Sequence, residues 1–234
     1  MIDERSEENE RVWQQVARVP PLEGDAVHVW LVRIGTRSVD TGVLSAEERE
    51  RAGRLREPAR SRFLTTRAAL RVRLAAYLGG APAQLEFRYG EMGKPTLTAP
   101  QDVQFSVAHS ADVALLAFAR EVPVGIDLER VRSVPRHERI APRVFAAASA
   151  GALAALPQGE RDEAFIWAWT QREAFVKAIG GGVLRSPDPL PFVWPPRSYE
   201  RDGWMIAPLI VDAWHHACLA VGGTGRRVHL LAEG

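Results

Sequence analysis

Two acidic side chains in the stretch V-G-I-D-L-E, Val124 to Glu129, are the groups from which chemistry is first suggested. In an extended strand alternate residues share a face. Gly125, Asp127 and Glu129 then lie on one face, and Val124, Ile126 and Leu128 lie on the other, where they can bury. Asp127 and Glu129 stand about 7 Å apart along such a strand. That separation lets two carboxylates converge on one hard cation such as Mg²⁺. Gly125 keeps the same face low, which would let a ligand approach the backbone. The ordinary alternative is a strand with its polar face in water.

A second stretch tells against that alternative. In W-T-Q-R-E-A-F-V-K, Trp169, Glu173 and Lys177 are four residues apart and line one face of a helix. Phe165, Ile166, Trp167, Ala174, Phe175 and Val176 cover much of the rest, so the helix is expected to be buried. Glu173 and Lys177 must then sit at the rim of a site or carry a desolvation cost. A plain Glu-to-Lys pair contributes only a few tenths of a kcal/mol and does not account for the apolar surroundings. Among 30 basic residues only Lys94 and Lys177 are lysine, a compact ammonium that arginine does not replace. Asp127, Glu129 and Glu173 together suit a Mg²⁺ site, with water and substrate phosphate completing the shell. Lys177 could reach a phosphate oxygen or a leaving group. The constellation reads as phosphoryl-type transfer.

These groups must be positioned by the elements around them. Val27–Ile34 alternates as a strand. Ser45 to Glu48 reads as a capping box opening a helix. A second helix is expected from about Ala59 to Leu78, stopped by Gly79 and Gly80. Arg60, Arg67 and Arg71 fall near one of its faces, either as a phosphate-binding patch or as a solvated basic surface. Leu85–Tyr89 is a short strand, followed by a turn-rich loop to Pro95 that holds Lys94. Val103–Val107 is a strand delivering Ala108, His109 and Ser110 at its end. Val113–Ala119 is a buried strand expected to pair as a hairpin with the strand of Asp127. Residues 131–160 read as one or two helices and a loop. Asp162–Ile179 is a long helix ended by Gly180 to Gly182. Strands are expected at Trp204–Ile210, Ala213–Val221 and Val228–Leu231. The order strand, helices, strands thus occurs once in each half.

With 234 residues, 46% hydrophobic, the chain can bury a sizeable core. A net charge of +1 gives no electrostatic case for nucleic-acid binding. Cys218 is the one cysteine, so no intrachain disulfide forms and a reducing compartment is expected. The acidic start M-I-D-E-R lacks a signal peptide's pattern, and no apolar run approaches a membrane span. A cytoplasmic protein is expected.

V-G-I-D-L-E followed by W-T-Q-R-E-A-F-V-K resembles the paired signature of the 4′-phosphopantetheinyl transferases. Gly93 to Pro95 (G-K-P) and Phe105 to Ser110 (F-S-V-A-H-S) match in order upstream, and the likeness spans roughly residues 44–182. The length resembles that of the monomeric, two-subdomain Sfp type. The resemblance implies an α+β fold of two subdomains, residues 1–120 and 121–234, related by a pseudo-two-fold with coenzyme A in the cleft between them. It implies that Asp127, Glu129 and Glu173 hold Mg²⁺ on the pyrophosphate. Lys177 would neutralise or protonate the departing phosphate, and Arg172, usually lysine in the family, would touch phosphate as well. His109 and Lys94 would hold the 3′-phosphate and adenosine end, with Arg67 and Arg60 or Arg62 beside them. Departures are Ala108 in place of a common serine, Arg172 in place of lysine, and a Gly180–Gly182 run without its usual basic residue.

The implied reaction moves the phosphopantetheine arm of coenzyme A to a serine of an acyl or peptidyl carrier protein and releases 3′,5′-ADP. Such carriers belong to polyketide, non-ribosomal peptide or fatty acid synthases, which suggests secondary metabolite biosynthesis. The general base is either Glu173 or a metal-bound water steered by Glu129. Residues 131–160, with Arg132, Arg136 and Arg139, are the expected side for an acidic carrier. Two other readings use the same residues: a Mg²⁺-dependent phosphohydrolase acting on a nucleotide-type substrate, and a non-catalytic module that binds coenzyme A or a carrier.

Overall fold

The structure is a computed structural model and describes residues 13–35, 38–90, 95–99, 102–180 and 190–234. Lys94 and the glycines at 181 and 182, expected to matter, lie outside the described residues. The strands are β1 (Gln14–Val16), β2 (Ala26–Arg33), β3 (Phe87–Tyr89), β4 (Pro95–Leu97), β5 (Val103–Ser110), β6 (Val113–Arg120), β7 (Val124–Arg130), β8 (Tyr199–Arg201), β9 (Trp204–Leu209), β10 (His215–Gly222) and β11 (Arg227–Glu233). The α-helices are α1 (Ala46–Arg54), α2 (Ala59–Leu78), α3 (His137–Val144), α4 (Ala147–Ala154) and α5 (Gln158–Ile179).

One sheet has the order β1-β11-β2-β6-β5 and another the order β7-β10-β9-β8, beside a small β3-β4 ribbon. Alternation in the strands gives each sheet two usable faces. Val27, Val29, Leu115 and Ala117 of the first sheet pack against Ile126, Leu128, Leu219 and Val221 of the second. On its outer face the first sheet meets α2 through Trp30, Leu70, Leu74, Phe105 and Leu116. The outer face of the second meets α5 through Trp167, Ala174, Phe175, Ile206, Cys218 and Ala220. The layers therefore run helix, sheet, sheet, helix, an α+β arrangement.

The same connectivity occurs twice. β2, α2, β5 and β6 come in that order along the chain, with shorter elements between them, and β6 lies between β2 and β5. β7, α5, β9 and β10 do likewise, and β10 lies between β7 and β9. All four of these pairings are antiparallel. A cut between residues 120 and 121 separates the two sheets in every strand but β11, which returns to lie parallel between β1 and β2.

Local signals set the ends of the two helices before β5. The Ser45 hydroxyl accepts from Glu48 N, and the Glu48 carboxylate accepts from Ser45 N, closing the capping box of α1. Gly79, at φ 71°, ends α2 in the left-handed conformation. The expected hairpin between β6 and β7 does not form. Both edges of β6 are already taken, by β2 and β5. The chain turns at Glu121, where φ is 58°, and β7 starts the second sheet against β10. Among the described residues no helix is long and apolar enough to cross a membrane.

Candidate active site

The face of β7 that carries Gly125, Asp127 and Glu129 is covered by α5. A Cβ at Gly125 would stand 2.0 Å from Ala174 O and 2.4 Å from Ala178 N. Those two atoms close one turn of α5, so the absent side chain lets the helix backbone lie directly on the strand. Gly125 was expected to admit a ligand, and it admits the helix instead. The consequence for chemistry is indirect. Glu173 and Lys177 neighbour Ala174 and Ala178, so this close packing brings their side chains over Asp127.

Lys177 Nζ donates to Asp127 Oδ1 at 2.6 Å. Asp127 is buried, 6% exposed, while Glu129, Glu173 and Lys177 are half-buried. Burial raises the proton affinity of Asp127 above the usual carboxylate range against the pull of Lys177, and the nearby Glu129 charge adds to the rise. Glu173 is also pushed up, first by burial and next by Asp127, against Lys177 and Arg172. The strand and helix carboxylates are thus electrostatic neighbours, although they come from chain segments far apart.

Asp127, Glu129 and Lys177 stand at one end of a cleft of about 640 Å³ that His109, Arg67 and Arg62 also line; Glu173 is not among its lining residues. Its opposite wall is α2. Arg62 Nε, Thr66 Oγ1 and Arg67 Nη1 are buried there without a hydrogen-bond partner. Arg62 and Thr66 are one helical turn apart and point the same way. Arg67 is steadied by Glu48 at 3.4 Å and by the hydroxyl of Tyr89 at 3.1 Å, and its guanidinium stacks on Phe87. His109 is exposed at the cleft wall. The protein mass around it lowers its proton affinity, and the cations Arg62 and Lys177 lower it further. It therefore feels both ends of the cleft.

Not every expected residue belongs to this wall. Arg60 is exposed on the first turn of α2, and Arg62 takes the place beside Arg67. Arg71 is a structural cation: it is buried, pairs with Glu48 at 2.5 Å and donates to the carbonyls of Pro82 and Leu85. Arg172 is buried on α5 near enough to Glu173 to act on its charge, and like Glu173 it does not line the cleft. Thr66, which the sequence reading passed over, joins the site; its spacing of four from Arg62 was the available signal.

Asp127 Oδ2 and Glu173 Oε1 are buried with no hydrogen-bond partner. A buried carboxylate oxygen in that state is costly, and hard oxygen donors of this kind suit a divalent cation such as Mg²⁺. As placed, no three His, Cys, Asp or Glu side chains among the described residues stand close enough to hold an ion. Glu129 Oε2 accepts from Arg132 Nη1 at 3.2 Å instead. Arg132 is exposed and Glu129 half-buried, and a pair near the surface like this is worth about 1 kcal/mol, so Glu129 can be turned inward at modest cost.

The profile of the 4′-phosphopantetheinyl transferase superfamily matches residues 123–201, from the start of β7 to the end of β8. The 4′-phosphopantetheinyl transferase HetI of Nostoc sp. is 32% identical over 215 residues, which is 87% of this chain and 91% of that protein. A Synechocystis sp. protein provisionally named a 4′-phosphopantetheinyl transferase, slr0495, is 35% identical over 182 residues, 73% of this chain and 74% of its own. The 4′-phosphopantetheinyl transferase Sfp of Bacillus subtilis is 31% identical over 101 residues, 43% of this chain and 44% of that one.

Proposed function

This chain belongs to the 4′-phosphopantetheinyl transferase superfamily and moves the phosphopantetheine arm of coenzyme A to carrier proteins, and we propose that it does so in the cleft between α2, β5 and β7. The single observation that carries this reading is the arrangement of that cleft. Unpartnered cationic and hydroxyl donors on α2 face a carboxylate cluster with one ammonium, as a molecule bearing a 3′-phosphate and a 5′-pyrophosphate on one ribose requires.

In this reading Arg62, Thr66, Arg67 and His109 take the 3′-phosphate and adenosine end, with Lys94 as a further cation. Arginine forks and a hydroxyl supply charged and neutral donors for its oxygens. Asp127 and Glu173, with Glu129 if released from Arg132, would hold Mg²⁺ beside the pyrophosphate. Such an ion would supply charge neutralisation at the pyrophosphate.

The remaining steps fall to side chains. The hydroxyl oxygen of the carrier serine forms a bond to the β-phosphorus of coenzyme A. The bond from that phosphorus to the bridging oxygen of 3′,5′-ADP breaks. Glu173, whose proton affinity burial and Asp127 raise, takes the serine proton. Lys177 stabilises or protonates the departing phosphate oxygen. Until then the ammonium is held by Asp127, which fixes its direction.

Acyl and peptidyl carrier domains of polyketide, non-ribosomal peptide or fatty acid synthases are the proposed acceptors. Arg132, Arg136 and Arg139 offer an acidic carrier a cationic approach beside the carboxylates. The two repeated units serve as subdomains with the boundary near residue 120, and the working form is a cytoplasmic monomer. The test is to incubate several apo-carriers with coenzyme A and Mg²⁺ and measure intact mass. The gain of one phosphopantetheine arm on a carrier serine is expected. Release of nucleotide without a mass gain would instead indicate a phosphohydrolase, and binding with neither would indicate a passive module.

A further inference from the structure

The cleft has two walls that belong to different sheets. His109 comes from β5, the edge of the first sheet, while Asp127 and Glu129 come from β7, the edge of the second. Edge strands present unpaired backbone groups, which commonly pair with another strand. β5 and β7 lie side by side, yet among the described residues their register pairings are with β6 and β10 and not with each other. What joins them is a pair of side chains. Ser106 Oγ accepts from Ile126 N at 3.1 Å, and Ser110 Oγ accepts from Arg130 N at 3.1 Å.

The spacing of these two bonds is informative. Both serines and both donor positions on β7 are four residues apart, so the strands are aligned in parallel at two points. The two bonds bracket Asp127 and Glu129 on one strand and His109 on the other. Ile126 and Arg130 are of even number, and the odd-numbered Val131 N is directed inward, to Trp214 O of the neighbouring chain segment at 2.8 Å. The serines therefore take outward-facing donors of β7 that its own sheet cannot use. A hydroxyl linkage holds the two edges a side chain apart. Direct backbone pairing would fuse the sheets into one and close the seam along which the cleft opens.

We propose that Ser106 and Ser110 are positioning residues that fix the height and separation of the carboxylate wall relative to the His109 wall. This rests on the reading of the cleft as the coenzyme A site. A ligand that touches both walls senses the seam, and a ligand that touches only the first does not. Coenzyme A with Mg²⁺ is the former. 3′,5′-ADP, seated by its 3′-phosphate on α2 and His109, approximates the latter.

The test compares the full-length protein with S106A, S110A, the double variant and Ser110→Thr. Binding of 3′,5′-ADP is measured without metal by calorimetry, and transfer to an apo-carrier is followed with coenzyme A and Mg²⁺. The double variant is expected to bind 3′,5′-ADP within about twofold of wild type, since a site outside the altered contact is nearly independent of it. Its kcat is expected to fall by about 10- to 100-fold, the loss that a misplacement of about 1 Å brings. Ser110→Thr keeps the hydroxyl and is expected to hold kcat near the wild-type value. Ser110 is only half-buried, so its variants keep the test open if Ser106→Ala disturbs folding. Unchanged kcat in the double variant would overturn the proposal. So would parallel losses of 3′,5′-ADP affinity and kcat, which would mark the serines as general supports. If wild type failed to bind 3′,5′-ADP at all, the cleft reading itself would fall and take this proposal with it.

Discussion

The ammonium of Lys177 lies 2.6 Å from Asp127 Oδ1, so one side chain of α5 is aimed by one side chain of β7. The contact holds the ammonium beside the carboxylates before substrate arrives. Lys177→Ala is expected to lower kcat by about 100-fold or more, because it removes an interaction used chiefly in the transition state. The dissociation constant for coenzyme A should change by only a few-fold. Steady-state kinetics paired with equilibrium binding checks this, and equal losses in both would contradict a leaving-group role.

Gly125→Ala tests the packing that creates this geometry. The added methyl meets backbone on both sides, at Ala174 O and Ala178 N, with no flexible side-chain end to give way. A destabilisation of about 3 kcal/mol is expected, the upper part of the range for overpacked cores. Urea unfolding measures it. Any folded fraction should also transfer poorly, since α5 carries Glu173 and Lys177 away from β7 as it shifts. An unchanged unfolding midpoint would show that the helix does not rest on the strand here.

The donors on α2 predict a substrate preference. Arg62→Ala and Thr66→Ala are each expected to raise the KM for coenzyme A, Arg62→Ala by about 10-fold or more, since a hydrogen bond to a charged group is worth roughly 1.5–3 kcal/mol. With dephospho-coenzyme A, which lacks the 3′-phosphate, the same variants should differ little from wild type. Arg60→Ala serves as the control, because Arg60 is exposed and off the cleft wall. A comparable loss with both substrates would move these residues away from the 3′-phosphate.

Stability should fall on mild acidification through His28. This side chain is 3% exposed, and its Nδ1 lies 2.8 Å from the Tyr77 hydroxyl, which also accepts from Trp30 Nε1 at 2.9 Å. Burial, with a smaller repulsion from His229, pushes its pKa from 6.5 down to about 4. A lowered value means that the folded state prefers the neutral ring. The contribution is therefore complete above about pH 6.5 and is progressively lost as pH falls toward 4, by roughly 3 kcal/mol in all. Thermal unfolding between pH 7.5 and 4.5 would show a shallower decline in His28→Gln than in wild type.

The two motifs were legible because their periods carried the information. Alternation in β7 separates Val124, Ile126 and Leu128, which meet the opposite sheet, from Gly125 and Asp127, which meet α5. The residue spacing in α5 put Glu173 and Lys177 on one side. Gly125 was misread because a missing side chain looks the same in sequence whether a ligand or a helix fills the space. Arg60, Arg62, Arg67 and Arg71 lie on one helix, and sequence spacing alone does not say which arc faces the core. Glu48, contributed by α1, draws Arg71 inward as an ion pair and leaves Arg62 and Thr66 facing the cleft. The hairpin was misplaced because adjacency in the chain suggests pairing, whereas β6 already had strands on both edges. The return of β11 to the first sheet depends on contacts some two hundred residues apart, which no local pattern encodes.

The account stands on Asp127 and Glu173 binding one divalent ion together. Mn²⁺ titration followed by electron paramagnetic resonance, in the presence of coenzyme A, measures that directly, with Mn²⁺ standing in for Mg²⁺. Wild type should bind one ion per chain. Asp127→Asn and Glu173→Gln should each weaken it at least as much as the roughly 10- to 100-fold lost when an outer partner of a metal ligand is removed. Undiminished Mn²⁺ binding in both variants would contradict the account.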